Sequence, residues 1–448
     1  KTFLIQKVGK YKCKRNFTSI LHKILLLTMK ILLSKVFIAD ETSPYHQSVQ
    51  DIFIENGIIK NISANINEDA DEIISGEDLI VSQGWVDIFS HFNEPGFEYK
   101  ETIQSGSQTA LAGGFTNVFL LPNTNPTIST KAQIEFIKNK NNNNIVNVLP
   151  IGAVTKNIEG KDLAEMYDMH NSGAIAFSDG LLPVQTSGLL LKALQYIKTF
   201  NGTIIQMPID KSIATHGLMN EGITSTQIGL AGIPAIAEEI IIKRDIDLLN
   251  YTNSKLHITG VSTAKSIELI TEAKKQGLQI TCSVTPYHLF FCDEDLKDYD
   301  TNLKVNPPLR TKQDMLALRE AVIDGKVDCI ASHHFPQDID NKVCEFDAAK
   351  NGMIGLQTSF NVVNESLPQL TAPQLSNIFS LNARKIFGLN NASININAKT
   401  DITVFTKNEE TILTKENNKS ISANSPFFNQ TLKGKVVAVM NNNVFKKL

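Results

Sequence analysis

The chain is 448 residues long, 42% hydrophobic and 20% charged, with a formal net charge of −3. That balance is globular, and the length suffices for one large domain or two ordinary ones with a full core. The lack of a basic surplus speaks against nucleic acid or an anionic membrane surface as a partner.

The first 28 residues are basic and do not begin with Met. Ile20 to Leu27 is apolar but short, and His22 and Lys23 interrupt it, so a secretory signal has little support. The expectation is a disordered N-terminal extension, residues 1–28, ahead of a natural start at Met29. No run of 18 or more apolar residues occurs, so no membrane span is expected. The cysteines, Cys13, Cys282, Cys292, Cys329 and Cys344, are scattered and form no CxxC pair. Such a sparse, odd set favours free thiols in a reducing compartment, hence a cytoplasmic protein. Cys282 and Cys329 lie in apolar runs and are expected in the core.

From Met29 the texture is short β. "KILLSKVFIAD" and "QDIFIENGIIKNIS" alternate apolar and polar residues, and Asn56-Gly57 marks a hairpin turn. The C-terminal end repeats this texture in "TDITVFTK" and "GKVVAVMNNNVF". The two ends, residues 29–81 and 390–448, are predicted to pair as one small β-sandwich domain.

Residues 82–389 have another rhythm. Eight short apolar segments occur: "GWVDIFS", "TNVFLLP", "NVLPIGAV", "GAIAFSD", "TIIQMPI", "KLHITG", "QITCSV" and "DCIASHH". Several are followed by helical stretches, among them "STAKSIELITEAKKQG" and "TKQDMLALREAVIDG". Alternation of strand and helix implies parallel pairing, and eight units over about 300 residues predict an α/β fold, a (β/α)8 TIM barrel. Chemistry in such a barrel sits at the carboxyl ends of the strands. The polar tract "KNKNNNNIVN" reads as a solvated loop, and Glu238 and Glu239 as the solvated face of a helix.

The letters at those strand ends carry a resemblance. "GWVDIFSHFNEPG", "LLPNTNP", "GAIAFSDG", "HITGVSTAKS", "SVTPYHLF", "VNPPLR", "DCIASHHFP", "GMIGLQTSF", "LNARKIFGL" and "NSPFFN" together resemble the dihydroorotases of the amidohydrolase superfamily. The likeness runs from Met29 to the C-terminus. It implies a TIM barrel of the amidohydrolase type and a cyclic-amide hydrolase of pyrimidine biosynthesis. It also implies zinc that activates a water, and a carboxylate on the eighth strand that moves the proton.

Carried over position by position, the resemblance places metal ligands at Phe89, His91, Gly180, Met207 and Gly260, and the proton-moving, metal-binding Asp at His333. Only His91 keeps the expected residue. Phe89, Gly180 and Gly260 offer no donor, and the thioether of Met207 suits zinc poorly. His333 stands as the one catalytic candidate, able to accept a proton in place of the carboxylate. Asn93 stands where an Arg would grip the substrate carboxylate, leaving a weaker polar contact. A further substrate-holding His is replaced by Gln337. Asn123, Asn306 and His334 match substrate-contacting positions. Loss of the carboxylates together with the imidazoles is coherent, because buried carboxylates without a cation are costly.

The expectation is therefore a dihydroorotase-like protein without catalysis and without a cofactor, acting as a scaffold or partner. The partner that the resemblance implies is aspartate carbamoyltransferase, and a homo-oligomer is expected. Two alternatives remain. One is an active dihydroorotase or related cyclic amidohydrolase with at most a single zinc, held by His91, His333 and His334, with Asp179 as a fourth donor. The other is a small-molecule binding module in the old pocket. His257 and His288 are expected to be structural.

Overall fold

A computed structural model describes residues 29–141 and 144–448. The extension expected over residues 1–28, and Cys13 within it, lie outside the described residues.

All eight apolar segments of the middle region become parallel strands. They are β1 (Trp85–Ser90), β2 (Phe115–Leu120), β3 (Asn147–Gly152), β4 (Ala176–Phe177), β5 (Ile204–Gln206), β6 (Leu256–Thr259), β7 (Ile280–Val284) and β8 (Cys329–Ile330). They pair in sequence order as one sheet. A parallel bridge between Ser90 and His334 closes the ring, and the His91 N–H donates to the His334 carbonyl at 2.9 Å. The first and last motifs of the barrel thus meet through backbone hydrogen bonds.

Helices start where the sequence offers caps. Thr263 accepts from the Ser266 N–H at the head of α1 (Ala264–Lys275), and Thr311 accepts from the Asp314 N–H at the head of α2 (Lys312–Ile323). Part of the "GVSTAKS" motif is therefore a helix start. In the helix Ile236–Thr252, Glu238 departs from the expected solvated face, being 1% exposed. Its carboxylate accepts from the Ser262 and Thr263 N–H groups at 3.0 and 3.1 Å and stands 3.7 Å from the Arg310 guanidinium. It serves orphan backbone donors at the β6–α1 turn, which is why a charged side chain is buried there. Its neighbour Glu239 is half-buried.

The chain ends join in one continuous sheet. Its order is Val444–Lys447, Thr431–Asn441, Ile402–Ile412, Ile80–Gln83, Lys30–Ile38, Val49–Glu55 and Ile58–Ser63, with Glu72–Ile74 pairing Lys30–Ile38. Asn56 (φ 51°) and Gly57 (φ 72°) form the expected left-handed hairpin turn between Glu55 and Ile58. Between its last two long strands the chain leaves the sheet and reaches the carboxyl end of the barrel. There the Ser422 hydroxyl donates to the Lys100 carbonyl, and Asn424 bonds the backbone of both Phe335 and Gln337.

Sheet and barrel meet around Trp85, which is fully buried. Its ring packs on Phe360, Phe379 and Phe405 with centroids 5.0–5.1 Å away, and its indole N–H donates to the Ser82 hydroxyl at 3.0 Å. Beside it the Arg384 guanidinium pairs with Asp401 at 2.6 Å and donates to the Gly84 carbonyl. Cys282, Cys292 and Cys329 are buried free thiols, and Cys344 is exposed. No helix among the described residues is long and apolar enough to cross a membrane.

Trp85→Ala is expected to cost about 3–5 kcal/mol, the usual range for emptying a buried aromatic site. Urea unfolding measures it, and a loss under about 1 kcal/mol would mean the junction does not depend on this ring.

Candidate functional site

The carboxyl ends of β1 and β8 bring an aromatic cluster to the position of the expected metal ligands. Phe89 is fully buried and its ring lies on the His333 imidazole, with centroids 4.6 Å apart and planes at 35°. Phe335 closes the cluster, 6.0 Å from Phe89 and 5.5 Å from His333. His333 has φ 43°, a left-handed conformation that a non-glycine residue holds only under constraint.

The imidazole of His333 also fills the space beside Gly260, where the resemblance expects a further ligand. A Cβ on Gly260 would lie 2.6 Å from His333 Cε1. Gly260 itself has φ +72°, so any side chain there meets both strain and a collision. A comparable exclusion operates at Gly180 (φ +59°), where a Cβ would sit 1.9 Å from Asn123 Oδ1. That amide is tied in place: Oδ1 accepts from the Leu181 N–H at 3.2 Å, and Nδ2 donates to the Asp179 carbonyl at 3.1 Å. Met207 is fully buried.

The ring nitrogens of the retained histidines are committed to the protein. In His91, Nδ1 accepts from the Asn93 N–H at 3.2 Å, so Nε2 carries the proton and donates to the Asn123 carbonyl at 3.0 Å. Burial drives its pKa down to about 4. In His334, Nδ1 accepts from the Gly355 N–H at 3.2 Å, and Nε2 faces the buried Glu101 carboxylate at 3.4 Å. Glu101 is also bonded by the Ser420 hydroxyl from the chain's C-terminal region. His334 is thus engaged by Gly355 and Glu101.

Asp179 is likewise not free to act as a fourth donor. It accepts from the Val154 and Thr155 N–H groups, both at 2.9 Å, and from the Thr155 hydroxyl at 2.5 Å. Burial raises its pKa to about 6. Among the described residues no group of three or more His, Cys, Asp or Glu is placed to hold a metal ion. The donor set at the mouth does not fit zinc.

His333 is instead the end of a hydrogen-bonded file inside the barrel. Thr281 bonds His257 Nδ1 at 2.8 Å, His257 Nε2 bonds Ser283 at 3.1 Å, Ser283 donates to Thr259 at 2.9 Å, and Thr259 meets His333 Nε2 at 2.9 Å. The file ties β6, β7 and β8 together. Among the described residues His333 Nδ1 has no partner, and its aromatic neighbours offer none. Burial and the nearby His288 and His257 keep the His333 pKa well below the usual range. An imidazole so poised is a poor base at neutral pH. His257 and His288 are structural as expected: His288 Nδ1 bonds Thr285 at 2.8 Å, and its Nε2 faces the Pro307 and Pro308 carbonyls at 3.2 Å.

Beside the aromatic cluster lies an open cavity of about 450 Å³. His91, Asn93, Asn123 and Asn306 line it, together with Phe335 and Gln337. Two further lining residues, Lys100 and Lys211, were not singled out from sequence. They follow β1 and β5 in loops without distinctive spacing, and only their convergence on the cavity marks them.

A family model described as "Dihydro-orotase-like" matches residues 78–266. A protein named dihydroorotase from Caldanaerobacter subterraneus subsp. tengcongensis is 42% identical over 390 residues, 86% of this chain and 90% of its own length. Another so named, from Acetivibrio thermocellus, is 41% identical over 401 residues, 88% of this chain and 94% of its own. The solved L-hydantoinase (dihydropyrimidinase) of Arthrobacter aurescens superposes with a TM-score of 0.81, at 21% identity, over 94% of this chain and 97% of its own. That last likeness concerns the fold.

Two outcomes follow from this packing. Gly260→Ala is expected to lower stability by about 2–4 kcal/mol, from the positive φ and the collision together. Adding His333→Ala should return part of that loss, and strict additivity in a double-mutant cycle would sink the steric account. The second outcome concerns pH. His91 and His288 fall to about 4 and His257 to about 3, and His333 is also depressed, so the unfolded chain takes up protons first as pH drops below 6.5. His91, His257 and His288 each remove about 1.6 kcal/mol between pH 6.5 and 5, and His333 acts in the same direction. Asp179 and Asp245, both raised to about 6, act oppositely: the native state holds their protons, so they gain stability as pH falls through 6. Burial also raises Asp87, Asp293 and Glu239, which act in the same direction as Asp179 and Asp245; the imidazoles are expected to outweigh these carboxylates, so the urea midpoint should fall from pH 7 to pH 5, and a flat or rising midpoint would contradict this balance.

Proposed function

The chain belongs to the dihydroorotase family, and we propose that it is a member without metal-dependent hydrolysis that works through binding, as a scaffold or assembly partner. The observation that carries this reading is the collapse of the ligand positions. Three hold no donor, one holds a thioether, and the retained His91 spends both ring nitrogens on backbone groups. Two of the three, Gly180 and Gly260, are also closed sterically by Asn123 and His333. A water needs a strong positive neighbour to ionise near neutral pH, and these side chains hold none in place.

The role so proposed lies in pyrimidine biosynthesis, in the cytoplasm, with a homo-oligomer as the acting form. Aspartate carbamoyltransferase is the partner to test first, since the family resemblance points to it. The competing reading, an active enzyme with a single metal, draws its support from 42% identity to a protein named dihydroorotase.

Elemental analysis of the purified chain, run beside a dihydroorotate turnover assay, separates the two. The expected result is no stoichiometric zinc and no turnover, with His91→Ala affecting only stability, by about 1–3 kcal/mol for its two buried hydrogen bonds. Stoichiometric zinc with turnover abolished by His91→Ala would establish the enzyme instead. Co-expression with aspartate carbamoyltransferase should yield a joint complex on size exclusion, and two separate peaks would remove that partner.

A further inference from the structure

We propose that a cavity at the amino end of the barrel strands binds a small oxyanion, a carboxylate or a phosphate, on the hydroxyls of Thr203 and Thr281, and that the bound anion decides which ring nitrogen of His333 carries the proton. The site lies at the opposite end of the strands from the mouth.

The inner faces of β6 and β7 depart from the usual barrel, whose inward positions are mostly filled by bulky branched side chains. Alternate residues of a strand share a face. His257 and Thr259 therefore point inward together with Thr281 and Ser283, which pair with them in register. Leu256, Ile258, Ile280 and Cys282 alternate with them and pack in the main core. The same alternation puts Lys255 and Gln279, the residues just before the two strands, on the inward side. With Thr203, Thr281 and Lys385 of the helix Asn382–Phe387 they line a cavity of about 340 Å³.

Thr203 is 6% exposed, and among the described residues its hydroxyl makes no hydrogen bond. Thr281 is half-buried, with the cavity on one side and His257 on the other. Lys255 is half-buried and Lys385 exposed, and no ion pair among the described residues includes either. Two hydroxyl donors flanked by two ammonium groups suit a ligand that is negatively charged and accepts hydrogen bonds.

The file behind Thr281 is directional. Burial holds both of its imidazoles neutral, so each carries one proton. The Ser283 hydroxyl donates to Thr259, so it accepts from the His257 Nε2–H. His257 Nδ1 is then bare and accepts from the Thr281 hydroxyl, while the Thr259 hydroxyl donates to His333 Nε2. The His333 proton is left on Nδ1, which is buried without a partner among the described residues. Every donor points from the cavity toward the mouth.

An anion on Thr281 needs that hydroxyl as its donor, which reverses the file. The Thr281 proton passes to His257 Nδ1, the His257 Nε2 proton to Ser283, the Ser283 proton to Thr259, and the Thr259 proton to His333 Nε2. The Nδ1 proton of His333 leaves to water at the mouth, and Thr281 takes a replacement from water in the cavity, so the net charge of the file is unchanged. Both end states leave His333 Nδ1 without a partner. One charge-assisted hydrogen bond at Thr281 therefore chooses between them.

The test is nitrogen NMR of the full-length protein carrying isotopically labelled histidine, titrated with inorganic phosphate, acetate and neutral acetamide. Without anion, His333 is expected to show a protonated Nδ1 and a bare Nε2. A saturating anion should exchange the two states at His333 and at His257, and acetamide should not. Exchange with phosphate alone would identify a phosphate ligand, and with acetate alone a carboxylate. Lys255→Gln should weaken anion binding about tenfold, the worth of one charged hydrogen bond, and leave the anion-free spectrum unchanged. Thr281→Val should silence both histidines and Thr281→Ser restore them, with circular dichroism unchanged. Ser283→Ala cuts the file midway, so His257 should still respond and His333 should not. No saturable binding of either anion, binding that leaves both tautomers in place, or a His333 response that survives Ser283→Ala would overturn the proposal.

Discussion

The seating of the His333 imidazole between Phe89 and Gly260 governs the barrel mouth. One ring fills the space beside Gly260, stacks on Phe89, and ends the hydrogen-bonded file from Thr281 through His257, Ser283 and Thr259. Packing and a chain of hydroxyls and imidazoles tie β6, β7 and β8 together at this end of the barrel. Restoring one ligand alone is therefore unfavourable: a side chain at Gly260 displaces His333, and moving His333 exposes the Phe89 face. Close-packed interiors couple neighbouring substitutions in this way.

The polar groups that remain are divided between architecture and an open pocket. His91, His334, Asp179, Glu101 and Glu238 look chemically suggestive in a list of residues. Each is buried against backbone N–H or carbonyl groups, or against another side chain that fixes it. Their bonds join β1 to the β2 loop, β8 to the C-terminal region, and β6 to the helix before it. Lys100, Lys211, Asn93 and Asn306 differ in that they line one cavity, and among the described residues Asn93 Nδ2 and Asn306 Oδ1 have no hydrogen-bond partner. Unspent capacity of that kind is what distinguishes a binding surface from a support.

The barrel was legible because its signal is local and repeated. "NVLPIGAV" or "QITCSV" can be buried on both faces only as a central strand, and eight such runs separated by helices leave few topologies. The Asn56-Gly57 turn was readable for the same reason, since few residue pairs accept two left-handed conformations in succession. Glu238 shows where this stops: its helical spacing implied solvent, but the backbone donors of Ser262 and Thr263, far along the chain, claimed it.

By itself the sequence determined the fold class and the family, because these depend on residue identity and short-range pattern. Tertiary structure alone decided what occupies the vacated volumes, which nitrogen of each histidine is engaged, and which lysines share a cavity. Those outcomes depend on distances between segments more than a hundred residues apart, such as Lys100 and Lys211 or Glu101 and Ser420. Spacing along the chain carries no record of such approaches; the closure of the barrel creates them.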